Sequence, residues 1–171
     1  MKKIVVTFIA LVIVVAGFAQ KFAFVDTEYI LSNIPTFESA QEQLDQQSIQ
    51  WQKEIEGVYS EIDKMYKEFQ AEKVLLSEEM KIKRENDIIN KEKEVKTLQK
   101  KYFGKEGELY KKRQELIKPI QDEIFNAVKE MAEEGNYAVI FDSASGSANM
   151  LFTDPKYDKS DDILEKMGYK N

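Results

Sequence analysis

The chain has 171 residues, enough for one domain with a modest core, and 33 % of them are charged. It contains no histidine and no cysteine. That removes the commonest general base, the usual nucleophilic thiol, most zinc ligand sets and a lipid-modified N-terminal cysteine. The net charge of −6 argues against nonspecific nucleic-acid binding, and no catalytic residue, metal or cofactor is expected.

Residues 1–19 read as a secretory signal peptide. Lys2 and Lys3 form a positive start, residues 4–15 are apolar apart from Thr7, and Gly17-Phe18-Ala19 supplies small residues for cleavage after Ala19. A retained anchor is the alternative, but the apolar run falls short of the roughly 20 residues that span a bilayer. Cleavage would leave 23 basic against 31 acidic residues.

Charge is unevenly distributed. Residues 37–80 carry 4 basic and 11 acidic side chains, residues 81–118 carry 13 and 7, and residues 119–171 carry 5 and 11. A cationic block thus lies between two anionic ones.

Phe22-Ala23-Phe24-Val25-Asp26 reads as a short buried strand. Asp26 or Thr27 can cap a helical turn through Tyr29, Ile30 and Leu31. Ser32-Asn33-Ile34-Pro35 breaks it, and Thr36 is the expected N-cap of the next helix.

No proline then occurs until Pro119. Phe37, Leu44, Trp51, Val58 and Met65 recur every seven residues, and Ile55, Ile62, Phe69 and Leu76 form a second column. Together they give the 3-4 spacing of a coiled-coil seam. Ile88, Val95, Tyr102, Leu109 and Leu116 repeat it later, as a mirror image. Phe37/Leu116, Leu44/Leu109, Trp51/Tyr102, Val58/Val95, Met65/Ile88 and Ile55/Leu98 each have numbers adding to 153. A fold at 76/77 brings every pair level, and Ser77-Glu78-Glu79 there is a helix N-cap followed by first-turn acids. Residues 37–118 are therefore read as an antiparallel hairpin arm, with an acidic rod beside a basic one and Glu72 level with Lys81. Each arm of about 40 residues would reach roughly 60 Å.

The seam is weak on the return rod. Lys91, Lys105 and Lys112 occupy seam positions, and Gly57, Gly104 and Gly107 lie inside the expected helices at about 1 kcal/mol each relative to alanine. Pro119 is expected to kink the helix as the joint between arm and body.

Ile120, Ile124, Val128 and Met131 continue the apolar stripe, and Gly135-Asn136 ends the helix. Strands are expected over 137–141 and 149–153, and Ser160 is expected to cap a last helix through Ile163, Leu164 and Met167. Residues 20–36 and 119–171 would form the body. Three short strands are a poor core, which oligomerisation would remedy.

The order of these segments resembles the Skp/OmpH family over nearly the whole mature chain. The residues that carry the resemblance are Phe22-Ala23-Phe24-Val25-Asp26 with Tyr29-Ile30-Leu31 and Pro35; the hairpin at Leu76-Ser77-Glu78-Glu79; Pro119-Ile120 leading to Glu130-Met131-Ala132; residues 135–142; and Asp161-Asp162-Ile163-Leu164. The resemblance implies an α+β, mainly α, fold with a long antiparallel coiled-coil arm projecting from a small β-barrel-like body assembled between subunits. It also implies a periplasmic homotrimer whose arms enclose a cavity and hold unfolded outer-membrane proteins without ATP. Phe22, Phe24, Val25, Val139, Phe141 and Leu151 are the candidates for the assembled body. Well-known members are strongly basic and this chain is acidic, so no lipopolysaccharide or anionic-membrane site is carried over, and only a weak membrane-surface contact stays open. A coiled-coil scaffold without client binding, anchored or periplasmic, is the competing reading.

Beside the seam lies surplus apolar surface: Tyr59 and Tyr66 on the outgoing rod, and Ile89, Phe103, Tyr110 and Ile117 on the return rod. It either contacts clients or widens the packed seam. The basic run including Lys81, Lys83 and Arg84 either attracts acidic clients or pairs with the acidic rod. Trp51 reads as a seam residue level with Tyr102. Asp26 and Asp142 follow strand-like runs, where turn capping is far commoner than catalysis.

Overall fold

The computed structural model describes residues 21–144 and 152–169. The elements are β1 (Lys21–Val25), α1 (Thr27–Ser32), α2 (Pro35–Glu72), α3 (Glu78–Phe103), α4 (Glu108–Leu116), α5 (Lys118–Gly135), β2 (Tyr137–Asp142), a 3-10 turn (Pro155–Tyr157) and α6 (Ser160–Lys166). The chain is mainly helical with one small sheet, as expected, and among the described residues the strands form no closed barrel. The proposed signal peptide and Leu151 lie outside the described residues. So does most of the expected strand at 149–153, of which Phe152 and Thr153 belong to no regular element. Two compact units are present, one holding the chain up to Pro35 and again from Gln121, the other Thr36–Ile120.

In the first unit β1 and β2 pair in parallel, with Phe22 opposite Val139, Phe24 opposite Phe141 and Val25 opposite Asp142. Alternation along β1 buries Ala23 and Val25. Ile30, Ile34, Ile163 and Leu164 are almost fully buried, and α1 packs on α6. Polar groups fix the corners. Asp26 accepts from the Tyr29 amide and caps α1. Asp142 accepts from the Thr27 amide and hydroxyl and from the Ala144 amide. Both carboxylates thus serve as turn caps. Ser160 is the first residue of α6, not its cap. Its amide donates to Asp158 Oδ1 at 2.9 Å, while its hydroxyl donates to that same oxygen and accepts from the Asp26 amide at 2.8 Å. Asn136 adopts φ 52°, the left-handed region that ends α5.

The second unit is an antiparallel hairpin in the expected register. Trp51 stacks on Tyr102. Ile55, Ile62, Val95 and Tyr102 form one buried cluster against which Trp51, Val58 and Leu98 pack. Ser77 caps α3 through the Met80 amide, with Glu78 and Glu79 in the first turn. Lys91 is accommodated at its seam position by ion pairs to Glu61 on the opposite helix (3.0 Å) and to Glu94 (3.1 Å).

Three boundaries differ from expectation. Helix α2 starts at Pro35 rather than after a Thr36 cap, because a fixed φ and a missing N–H suit the first turn. The return rod is broken at residues 104–107, not merely weakened there. A Cβ on Gly104 would meet the Lys100 carbonyl oxygen at 2.3 Å, and one on Gly107 would meet the Lys101 and Tyr102 oxygens at 2.8 Å, so both glycines permit the turn. Pro119 sits in the first turn of α5, just after a single-residue interruption at Ile117, whose φ of −96° and ψ of −38° stay in the helical region and whose amide still donates to the Arg113 carbonyl.

Candidate interaction surfaces

The seam of the hairpin follows from heptad spacing, and its solvent face from what the spacing leaves over. Tyr59, Tyr66, Ile89, Phe103 and Tyr110 are all exposed, between 37 % for Phe103 and 48 % for Tyr110. They therefore lie outside the packed seam, whereas Ile117 from the same column is buried. Two of the aromatics are held. The Tyr66 hydroxyl donates to Glu92 across the hairpin at 3.1 Å, and the edge of Phe103 meets Trp51. The Glu92 carboxylate accepting this bond raises the Tyr66 hydroxyl above its ordinary range, as Glu54 does for Tyr102. The exposed aromatics present rings to water along both arms of the hairpin, Tyr59 and Tyr66 on the outgoing one and Phe103 and Tyr110 on the return one.

Of the cations, Lys81 pairs with Glu78 in its own helix at 2.7 Å, Arg84 reaches Glu72 across the tip at 3.4 Å, and Lys83 is exposed. Glu72 thus meets Arg84 one turn further in than Lys81, which is held by the local i,i+3 geometry. Among the described residues the ion pairs that cross the hairpin are Arg84–Glu72 and Lys91–Glu61. Both lie in the half nearer the tip.

The most exposed large apolar residues of the hairpin were not singled out from sequence. Val74 is 91 % exposed and Leu75 85 %, in the turn between α2 and α3, with Met80 and Ile82 close by. A cue was available: three apolar residues precede the Ser77 cap where turn chemistry favours Gly, Asn or Asp.

In the sheet unit, Phe22, Val139 and Phe141 are exposed, Phe24 is half-buried, and Val25 is 2 % exposed within its own chain. An open groove of about 820 Å³ runs along this face, lined by Phe22, Phe24, Phe141, Phe152 and Tyr157 among others. Lys166 of α6 pairs with Glu134 and Glu130 of α5, and those carboxylates raise its ammonium above the usual lysine range. Among the described residues no group of acidic side chains is arranged to hold a metal ion, and no helix is long and apolar enough to cross a membrane.

In chain order the two strands of a parallel sheet precede and follow a long antiparallel helical hairpin that leaves aromatic groups outside its seam. The chain belongs to the OmpH-like outer membrane protein family, whose model matches residues 21–167. It is 28 % identical over 169 residues to an uncharacterized protein of Aquifex aeolicus (strain VF5), covering 98 % of this chain and 99 % of that one. It is 24 % identical over 149 residues to the chaperone protein Skp of Yersinia enterocolitica, covering 87 % of each. A crystal structure described as an OmpH-like outer membrane chaperone from Caulobacter crescentus CB15 superposes with a TM-score of 0.65 at 11 % identity, covering 86 % of this chain and 83 % of that chain. That last likeness is one of fold.

Proposed function

We propose that this protein is an ATP-independent periplasmic holdase that binds unfolded outer-membrane proteins and prevents their aggregation. The carrying observation is the set of exposed aromatic and aliphatic side chains outside a packed hairpin seam. A binder of unfolded chains needs apolar contacts that are dispersed, so that it neither aggregates nor folds its client. Membership of the OmpH-like family supports this reading. A homotrimer would let hairpins from three chains surround a client, and the open apolar groove along the sheet is suited to contacts between copies. Secretion through a signal peptide cleaved after Ala19 would place the chain with such clients.

The test is dilution of a denatured outer-membrane β-barrel into buffer with a several-fold excess of residues 20–171, without nucleotide. Light scattering should stay near baseline. Aggregation at the rate of the client alone would contradict the reading.

A further inference from the structure

We propose that the return rod of the hairpin carries one spare heptad, stored at the glycine turn of residues 104–107, and that releasing it lets the tip half slide to a second register seven residues away. The slide is a property of the hairpin alone and does not depend on the holdase reading.

Heptad spacing fixes the register of two rods only to within multiples of seven. In the tip half the expected register holds, set by Trp51 on Tyr102 and by Lys91 with Glu61. Carried on without interruption, it would set Lys112 beside Gln41 and Leu116 beside Phe37. In the structure Lys112 and Leu116 instead line one groove with Leu44, Gln47 and Gln50. Leu44 and Leu116 have numbers adding to 160, one heptad more than the 153 of the tip half. The base half therefore already stands in the next register, and the turn at 104–107 takes up the difference. Ile117 holds the base half in place, since it is buried and its amide donates to the Arg113 carbonyl.

The register of the base half extends into the tip half without breaking the seam. It would pair Trp51 with Leu109, Val58 with Tyr102, Ile62 with Leu98 and Met65 with Val95, all apolar. Lys91, the charged group in the seam, would leave Glu61 and meet Glu68, because Glu54, Glu61 and Glu68 stand seven apart on the outgoing rod. Residues 104–107 would become helix, which supplies the length the return rod needs to move toward the tip. The reversal would fall near Met80, so α2 gains residues 73–76 and α3 gives up its Ser77 cap. Leu76, the last member of its heptad column, now lies beyond the end of α2 and would join the seam. The slide forfeits the ring stack and the cap and recovers a broken helix, while two glycines in that helix hold the gain down. Two discrete packings of one pair of rods thus compete, as in one-turn ratchets of packed helices. Seven residues are about 10 Å along a helix, and the hairpin would lengthen by roughly 5 Å.

Cysteine pairs in the full mature chain decide this, because the chain has no cysteine of its own. A disulfide forms only where Cα atoms come within about 7 Å. Glu61→Cys with Lys91→Cys reports the register of the structure, and Glu68→Cys with Lys91→Cys the shifted one. Glu54→Cys with Lys91→Cys reports a shift of equal size in the opposite direction, for which the turn stores no chain. Under mild oxidation the first pair should close fastest, and the second at least about tenfold faster than the third. Removing residues 104–110 takes out the spare heptad. It should slow the second pair at least about tenfold and leave the first unchanged. Equal rates for the Glu68 and Glu54 pairs would overturn the slide, and so would a Glu68 pair that closes as fast after the deletion. If the shortened chain does not fold, the comparison of the Glu68 and Glu54 pairs decides alone. A Glu61 pair that fails to close overturns the starting register and the slide with it.

Discussion

Trp51 on the outgoing helix stacks on Tyr102 of the return helix, with ring centroids 4.9 Å apart and planes 8° from parallel. The edge of Phe103 closes the group at 6.3 Å. Tyr102 lies two residues before Gly104, where the glycine break begins, so the stack is the last strong tie of the tip half of the hairpin. Trp51→Ala removes a half-buried indole and the ring pair together. Urea unfolding should show a loss of about 2–3 kcal/mol.

A single hydroxyl caps the start of α3. Ser77 accepts from the Met80 amide at 3.4 Å and starts α3. Ser77→Ala should cost about 1 kcal/mol and Ser77→Gly only a few tenths, because glycine is itself a tolerated N-cap. Chemical denaturation of both variants checks the order.

Ser160 is buried at the junction of β1 and α6, and its hydroxyl satisfies the Asp26 amide. Ser160→Ala leaves that amide without its partner in a part-buried place. A loss of about 1–3 kcal/mol is expected. Ser160→Thr, which keeps the hydroxyl, should recover part of it if the extra methyl fits.

Alkaline pH should loosen the hairpin through Tyr102. Its hydroxyl donates to Glu54 at 2.9 Å, and this hydrogen bond first, then burial, raises its pKa above the ordinary value. A raised folded-state pKa means the stabilisation is fully present below the unfolded tyrosine value of about 10 and is lost as pH rises through the folded value. Lys91, raised by Glu61 and Glu94, loses its contribution in the same direction. Stability measured from pH 8 upward, to about two pH units above the unfolded tyrosine value, should fall less steeply in Tyr102→Phe than in the parent chain.

The hairpin was legible because one relation fixed it twice. The mirror register of Trp51 with Tyr102 and Val58 with Val95 agreed with an independent cap at Ser77. The sheet was legible only as separate strands. Nothing local in Phe22-Ala23-Phe24 names a partner more than a hundred residues away, so the parallel register with β2 is a tertiary outcome. Propensity alone makes the glycines at 104 and 107 a cost to the helix, but two of them three residues apart supply a turn, closed by the Gly107 amide donating to the Gly104 carbonyl. The surface aromatics were visible as surplus heptad positions. Whether they were seam or surface depended on how narrow the packed stripe would be, and spacing alone does not set that width. The apolar tip at Val74 and Leu75 is not legible from heptad spacing, since both residues fall in the turn between α2 and α3 where the repeat ends.

Photo-crosslinking tests the central claim most directly. A benzophenone side chain is placed singly at Tyr59, Tyr66, Phe103 and Tyr110, and at the exposed polar position Gln52 as a control, and each protein is irradiated with an unfolded outer-membrane β-barrel. The account predicts strong capture of the client at the four aromatic positions and little at Gln52. Capture at Gln52 equal to the rest, or at none of the five, would contradict it.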